Sequence, residues 1–325
     1  MNKVVRKKIL LSSAIVVVCG SIFFGVWYLT ELEVRNNKAR SKKTIAYTAS
    51  MTLKGLRLEQ TNGDKVEWIL NSKTANMYGA PNNQMEFGNI DAFVYGEKDQ
   101  NEVYKINATS GSYWIKEDKI DLSDNVVVGT SKGYSFYTQE ALYDIGKKKI
   151  STKSSVTAKG TSSDGALVNI AGDGLKGDVA LGDFYLIDDV VATMGKKLNI
   201  KSKRAVFNTK QSKISFVGGV SAQKEKVSID GEKMSVGYNK KGAMSDMDVE
   251  GKVVIRTGDK KALCDNALIK ANSDEIVLTG KPEFHAGKDI IVGEKIVFFS
   301  NSEEVYVSKV RAAVTEKAVR EKNEK

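Results

Sequence analysis

Few side chains in this 325-residue sequence are suited to catalysis. Its single histidine, His285, stands in KPEFHAGKD beside Pro282 and Gly287, a setting that reads as a turn. Structural zinc takes four converging ligands, and one histidine with two cysteines far apart, Cys19 and Cys264, cannot assemble them. A Ser/His/Asp arrangement would have to use His285, and no G-x-S-x-G turn accompanies it. Gly172, Gly174 and Gly177 fit G-x-G-x-x-G, but strand-like VALGDFYLIDDVV follows instead of a helix whose N-terminus would hold a pyrophosphate. The carboxylate pairs Asp188/Asp189 and Asp246/Asp248 fall among turn and strand-edge residues, where solvation is expected. No catalytic residue, metal site or cofactor is expected.

Charge is the next chemical signal. The net charge of +10 raises the question of an anionic partner. Lys147, Lys148, Lys149, Lys196, Lys197, Lys201, Lys203, Arg204, Lys240, Lys241, Lys260 and Lys261 gather at expected turns and strand ends. Solvated turns that discourage edge pairing account for them. A phosphorylated lipid or acidic glycan is the better anionic ligand, because no helix is available for a groove and no aromatic platform for single strands. Cys264, in KALCDNALI, reads as a small buried hydrophobe rather than a reactive thiol.

The elements that would position these residues are strands. In LNIKSKRAVFNTKQSKISFVGGVSA, Leu198 to Ala222, Ile200 opens a strand, Ala205 and Val206 continue it, and Asn208 to Lys213 turn it. Ile214, Phe216 and Val220 then alternate with Ser215, Val217 and Gly219, the period of a strand with one buried face. Similar strand-turn-strand units open at Ile106, Phe136, Ser228, Leu263 and Ile291, with less regular copies from Ile69 and Val168. Their spacing, roughly 28 to 37 residues, lies in the range of stacked repeats. Met51 to Tyr78 adds a hairpin turning at Asn62 and Gly63. Only two prolines occur, Pro81 and Pro282, as suits a chain that is nearly all strand. No unit can bury its apolar stripe alone, so stacking into two walls with apolar faces inward is expected, giving an elongated all-β body. About 16 strands divided between two walls would make a body roughly 8 strands and ~40 Å long. The weakest strand text, Gly160 to Asp178, precedes a boundary placed near Gly195.

The N-terminus differs in kind. Residues 1–8 are a basic tail, and Ile9 to Leu29 is an uncharged run of about 21 residues, long enough to cross a ~30 Å hydrocarbon layer as one transmembrane helix. Trp27 and Tyr28 sit where the headgroup layer would be. The run is too long for the apolar part of a cleaved signal peptide, and no A-x-A-like site follows it. The nearest charges place the N-terminus in the cytoplasm and the bulk of the chain outside it. Residues 30–46 read as a linker and 315–325 as a disordered tail.

A short basic N-terminus, a single span, and then GLRLEQTNGDKVEWILNSKTANMY (Gly55 to Tyr78) with its Gly63, Trp68, Leu70 and Ala75 resemble the LptC family of the lipopolysaccharide export machinery. The units from Leu198 to Val314 are similar to the LptA/OstA-like periplasmic family. The resemblance implies an LptC-like β-jellyroll over 47–195 joined to an LptA/OstA-like β-jellyroll over 196–314, both twisted and slotted. It also implies an inner-membrane-anchored, single-pass protein with its bulk in the periplasm. Such a protein accepts lipopolysaccharide from the ABC exporter and passes it along an apolar groove toward the outer membrane, meeting further LptA-like jellyrolls by edge-strand pairing. Lipid A acyl chains would contact the interior residues Trp68, Leu70, Ile106, Ile115, Leu122, Val126, Val128, Ile200, Ile214, Phe216, Val220, Ile229, Met234, Val236, Leu278 and Val307. Closed core packing fits each of them equally well. Two other readings stay open: a polysaccharide-active enzyme on a parallel β-helix, and an envelope scaffold that never holds lipid.

Overall fold

The computed structural model describes residues 49–79, 83–96, 101–161, 165–195, 198–238, 244–270, 273–302, 304–310 and 312–314. The expected basic tail, membrane helix, linker and C-terminal tail lie outside the described residues, as do Lys196, Lys197, Lys240 and Lys241. Among the described residues, no helix is long and apolar enough to cross a membrane. The described residues belong to one unit by their internal contacts.

Every regular element described is a β-strand, and the strands make a 20-stranded sheet. β1 (Met51–Asn62), β2 (Lys65–Tyr78), β3 (Gln84–Tyr95), β4 (Val103–Trp114), β5 (Lys119–Thr130), β6 (Ser135–Asp144) and β7 (Lys149–Thr161) pair in chain order. The meander continues through β8 (Leu167–Asp178), β9 (Asp183–Met194), β10 (Leu198–Asn208), β11 (Lys213–Lys224), β12 (Val227–Tyr238), β13 (Met244–Thr257) and β14 (Lys260–Ile269). All these pairings are antiparallel, which excludes the parallel β-helix and with it the scaffold of the alternative enzyme reading.

Local chemistry sets the turns. Gly63, at φ 60, and Asp64 close the first hairpin. Three later turns share one device, in which the last strand residue accepts a hydrogen bond from the backbone N–H three positions on. Asp144 Oδ1 takes it from Lys147 (3.0 Å), Asp178 Oδ1 from Leu181 (2.9 Å) and Asn208 Oδ1 from Gln211 (2.7 Å). That backbone bond is also the main reason the Asp144 carboxyl is held below its usual range.

The middle of the strands is where the sheet becomes two walls. In β5, Ser123 pairs with Glu140 and Val126 with Thr138, so Asp124 and Asn125 stand opposite a single residue of β6. Both have positive φ, 62° and 55°. The same interruption falls at Asp188 and Asp189 in β9, Gly218 and Gly219 in β11, and Gly251 and Lys252 in β13, again all with positive φ. Strict alternation after Leu122 would send Asp124 inward; the bulge skips it and returns Val126 and Val128 to the inner face. In β9 the buried positions likewise run Phe184, Leu186, then Val190, Ala192 and Met194. Each long strand therefore turns a corner at its centre while keeping apolar residues inward on both sides. Asp188 and Asp189 are thus corner residues, exposed as expected but not at turns or strand edges.

Beyond β14 the two walls separate. Its Asn266 to Ile269 pair with β15 (Glu275–Thr279), and its Lys260 to Leu263 pair with β16 (Glu283–Ala286). β15 continues to β18 (Lys295–Phe299) and β19 (Val305–Ser308); β16 continues to β17 (Asp289–Val292) and β20 (Ala312–Val314). The expectation of about 16 strands shared out between walls is corrected in this respect. The long strands belong to both walls, because the corner lies inside each strand and not in the connection between strands.

The glycine-rich stretch whose strand signal is weakest forms ordinary strands, β7 and β8. A Cβ on Gly177 would lie 2.6 Å from the Phe184 ring and 2.8 Å from Ile150, so the small residue leaves room for its neighbours' side chains. Gly195, at φ 60, turns β9 into β10, and the two pair along their whole lengths.

Two outcomes follow. A Cβ at Gly218 (φ +92) would meet Lys203 Cβ at 2.9 Å, whereas at Gly219 it meets nothing within 4 Å. Gly218→Ala is expected to cost about 1–3 kcal/mol in urea unfolding, and more than Gly219→Ala; the reverse order contradicts the corner geometry. Burial, chiefly, pushes the Cys264 thiol up to about 12, with Asp265 adding to it against backbone hydrogen bonds from Asn266 and Thr279. Burial disfavours the thiolate, so the folded thiol stays protonated at pH 8. Iodoacetamide should then modify Cys264 at least ~100-fold more slowly in the folded chain than in urea, read by peptide mass; equal rates contradict its burial.

Candidate functional site

The inner faces of the two walls form one apolar interior. Its buried residues run without interruption from Leu70 in β2 to Phe298 in β18. Of the sixteen expected lining residues, Leu70, Ile106, Leu122, Val126, Val128, Ile200, Ile214, Phe216, Val220, Ile229, Met234, Val236 and Leu278 are buried here. Trp68 and Val307 are partly buried against the same core. Ile115 is a correction: it is 41% exposed. β4 ends at Trp114, so Ile115 falls in the turn beyond the strand, where strand alternation no longer fixes its direction.

The first wall consists of the strand halves beside turns 63–64, 131–134, 225–226 and 258–259; the second, of the halves beside turns 115–118, 145–148, 179–182 and 209–212. Rings from the two walls meet alternately. Tyr104 packs on Phe184 (centroids 5.6 Å), Phe184 stacks on Phe136 (5.0 Å), Phe136 meets Phe207 edge-on (5.1 Å), Phe207 meets Tyr134 (5.6 Å) and Tyr134 meets Tyr238 (6.4 Å). Tyr104, Phe136 and Tyr134 come from the first wall; Phe184, Phe207 and Tyr238 come from the second. This zipper straddles Gly195, so residues on both sides of it share one seam.

Polar ties lie along the same mouth. Glu67 and Lys148 form an ion pair of 3.1 Å with both side chains about four-fifths shielded, at 20% and 18% exposure. The Tyr104 hydroxyl donates to Glu102 Oε1 (2.9 Å), and Thr209 Oγ1, 3.2 Å from that carboxylate, also lies 2.8 Å from the Gly182 carbonyl. Burial pushes the Tyr104 hydroxyl well above its ordinary pKa; the contact with Thr209 opposes that rise and Glu102 adds to it. Further along, Lys260 Nζ donates to the Ser302 carbonyl at 2.7 Å. Lys148 and the 9%-exposed Lys260 are therefore not the solvated lysines the sequence suggests. Lys201, Lys203 and Arg204 sit near the β10 corner, within the strand.

A cavity of about 20 Å³ lies among residues that include Trp68, Leu70, Ile106, Leu122 and Tyr143, room for about one water and far too small for a fatty chain. This cavity would have to widen to hold an acyl chain.

The remaining polar candidates stay apart. His285 lies in strand β16, not in a turn, with Nε2 3.5 Å from Glu283 Oε2. Asp246, expected to be solvated, accepts a 2.9 Å hydrogen bond from Lys270 Nζ. Among the described residues, no group of His, Cys, Asp or Glu could hold a metal ion. Sequence reasoning missed Tyr104, Phe136, Phe184 and Phe207. A signal was present: each is the second residue from a strand end, on the parity of its buried neighbours.

The chain matches two family patterns. One, described as lipopolysaccharide-assembly, LptC-related, covers residues 13–195. The other, described as LptA/(LptD N-terminal domain) LPS transport protein, covers residues 199–304. No curated protein matches. Among solved structures, the chain is similar to that of LptH, the LptA-homologous periplasmic component of the conserved lipopolysaccharide transport device from Pseudomonas aeruginosa, at 16% identity over 37% of this chain and 96% of that chain, with a TM-score of 0.34. With more than half of its length covered by the first pattern, this chain belongs to the LptC-related lipopolysaccharide-assembly family.

Proposed function

We propose that this chain is an inner-membrane-anchored, periplasmic carrier that accepts lipopolysaccharide from the ABC exporter and passes it toward the outer membrane along its apolar interior. The LptC-like and LptA-like modules meet at Gly195 and serve one path. The observation that carries this reading is the single core shared by the segments that match the two families, closed at its mouth by non-covalent contacts alone. Residues 9–29 supply the anchor, and the sugar and phosphate head stays outside while acyl chains lie between the walls.

Magnitudes support reversible loading. Each methylene moved out of water contributes about 0.8 kcal/mol, so ten contribute roughly 8 kcal/mol. Each ring contact that must loosen is worth about 0.5–1.5 kcal/mol. An acyl chain replaces apolar wall contacts with apolar chain contacts, so the exchange needs no covalent step. The sheet ends suit relay to further LptA-like jellyrolls: among the described residues β1 pairs on one edge only, as do the short β19 and β20.

Photo-crosslinking residues placed in cells at Val128 and Phe216, one on each side of Gly195, test the reading. Adducts with lipopolysaccharide at both positions are expected. Adducts only with protein favour a lipid-free scaffold and overturn the carrier reading, and lipid at one position alone overturns the shared path.

A further inference from the structure

The seam between β6 and β7 carries the longest break in the meander. Its ladder stops at the Tyr137–Thr157 pair and resumes at Leu142–Ser151, so 138–141 on one strand and 152–156 on the other are left out of it. At the neighbouring β5/β6 and β7/β8 seams no more than two residues are skipped on either strand. A cavity of about 600 Å³ opens there, on the second-wall side of the corner. It is lined by four adjacent strands. Asp121, Leu142, Ser151 and Lys176 stand in register across β5, β6, β7 and β8 along one side of it. Glu140 and Lys153 lie toward the corner on the other side, and the buried Leu122, Ala141 and Leu175 lie between.

The charges on this lining are sorted by strand. Both carboxylates, Asp121 and Glu140, belong to β5 and β6; both ammonium groups, Lys153 and Lys176, belong to β7 and β8. The open seam lies between the two banks. Hydrogen bonds hold the acidic bank in place: Trp114 Nε1 donates to Asp121 Oδ2 (2.7 Å) and Ser154 Oγ to Glu140 Oε1 (2.9 Å), which leaves each carboxylate a second oxygen to accept with. Among the described residues, neither Lys153 nor Lys176 forms an ion pair. Two charges of each sign, sorted but not joined, complement a net-neutral ligand that carries both signs itself. An α-amino acid holds its charges too close together to serve both banks. A phosphodiester linked to an ammonium through two carbons can bridge the ~4.8 Å between adjacent strands. Its phosphate takes both lysines and the Ser151 hydroxyl as donors, and the apolar residues between the banks receive the methylenes.

We propose that the open β6/β7 seam is a binding site for a zwitterionic phosphodiester headgroup, with the phosphate on Lys153 and Lys176 and the ammonium on Asp121 and Glu140. The site lies at the corner, away from the mouth, and does not depend on the carrier reading above.

The probes are sn-glycero-3-phosphoethanolamine and sn-glycero-3-phosphoglycerol, which keeps the phosphodiester but lacks the ammonium. Each is titrated by calorimetry against the full chain in a non-ionic detergent. The expected result is binding of the ethanolamine compound about 5-fold tighter than the glycerol compound, as suits exposed charge pairs. Asp121→Asn with Glu140→Gln should bring that ratio to about one without weakening the glycerol compound, and Lys153→Gln with Lys176→Gln should weaken both probes about 5-fold. All four side chains are exposed, and the amides keep the oxygens that Trp114 and Ser154 use, so the urea midpoints should not move. Equal binding of the two probes by the unsubstituted chain overturns recognition of a zwitterion. A preference that survives loss of both carboxylates overturns the assignment to these residues, and glycylglycine binding as tightly as the ethanolamine compound overturns the choice of a phosphodiester. Binding of neither probe overturns the site and leaves the carrier reading standing. The monohexanoyl ester of the ethanolamine compound separates the two sources of such a headgroup: tighter binding than the parent assigns the site to a lipid, equal binding to the free headgroup, and either sustains the proposal.

Discussion

The whole body depends on one constraint of side-chain parity. A strand offers alternate residues to opposite faces, and at the bend between the walls each bulged strand leaves out one inward position while its apolar residues keep the same parity on either side. Here two left-handed residues make the skip, as at Asp124/Asn125 and Gly218/Gly219. The corners also lock to one another: Gly218 lies under Lys203, Gly251 under Glu232 and Gly280 under Asp265, with no room for a Cβ at any of the three. Twist, pairing and a continuous apolar lining then follow along the meander without any long connection.

A closed lining is a poor container, and the mouth resolves that conflict. Apart from the corners, the walls are joined among the described residues by the shared apolar core, by ring contacts and by polar ties. Rings hold the walls together by the same kind of surface that an acyl chain would cover, so opening and loading trade like for like. The ion pair Glu67–Lys148 and the Tyr104–Glu102–Thr209 group are better suited to fixing how the rims align, because bringing largely buried charges together returns little net energy after desolvation.

Much of this was legible in the sequence. Ile214, Phe216 and Val220 announce an inner face, and Gly63 a hairpin, because period and turn chemistry are local properties. Corners were harder to see. Asp188 and Asp189 read as strand-edge polar residues, since nothing within a few positions tells a mid-strand bulge from a strand end. Ile115 was misplaced because a strand's last residue decides its parity, and that boundary at Trp114 is set by the partner strand. Lys148 looked solvated for want of Glu67, which lies 81 positions away. The zipper required knowing that strands of the first wall face strands several places further along in the second, a consequence of the fold that no local pattern contains.

For lipid to enter, the walls part at the mouth. Spin labels on exposed rim turns, at Lys132→Cys in the first wall and Gln211→Cys in the second, with Cys19 and Cys264 replaced by alanine, would report their separation by pulsed electron resonance. A clear shift to longer distances is expected when lipopolysaccharide is bound to the full chain. An unchanged distance distribution, with lipopolysaccharide shown to be bound, would contradict it.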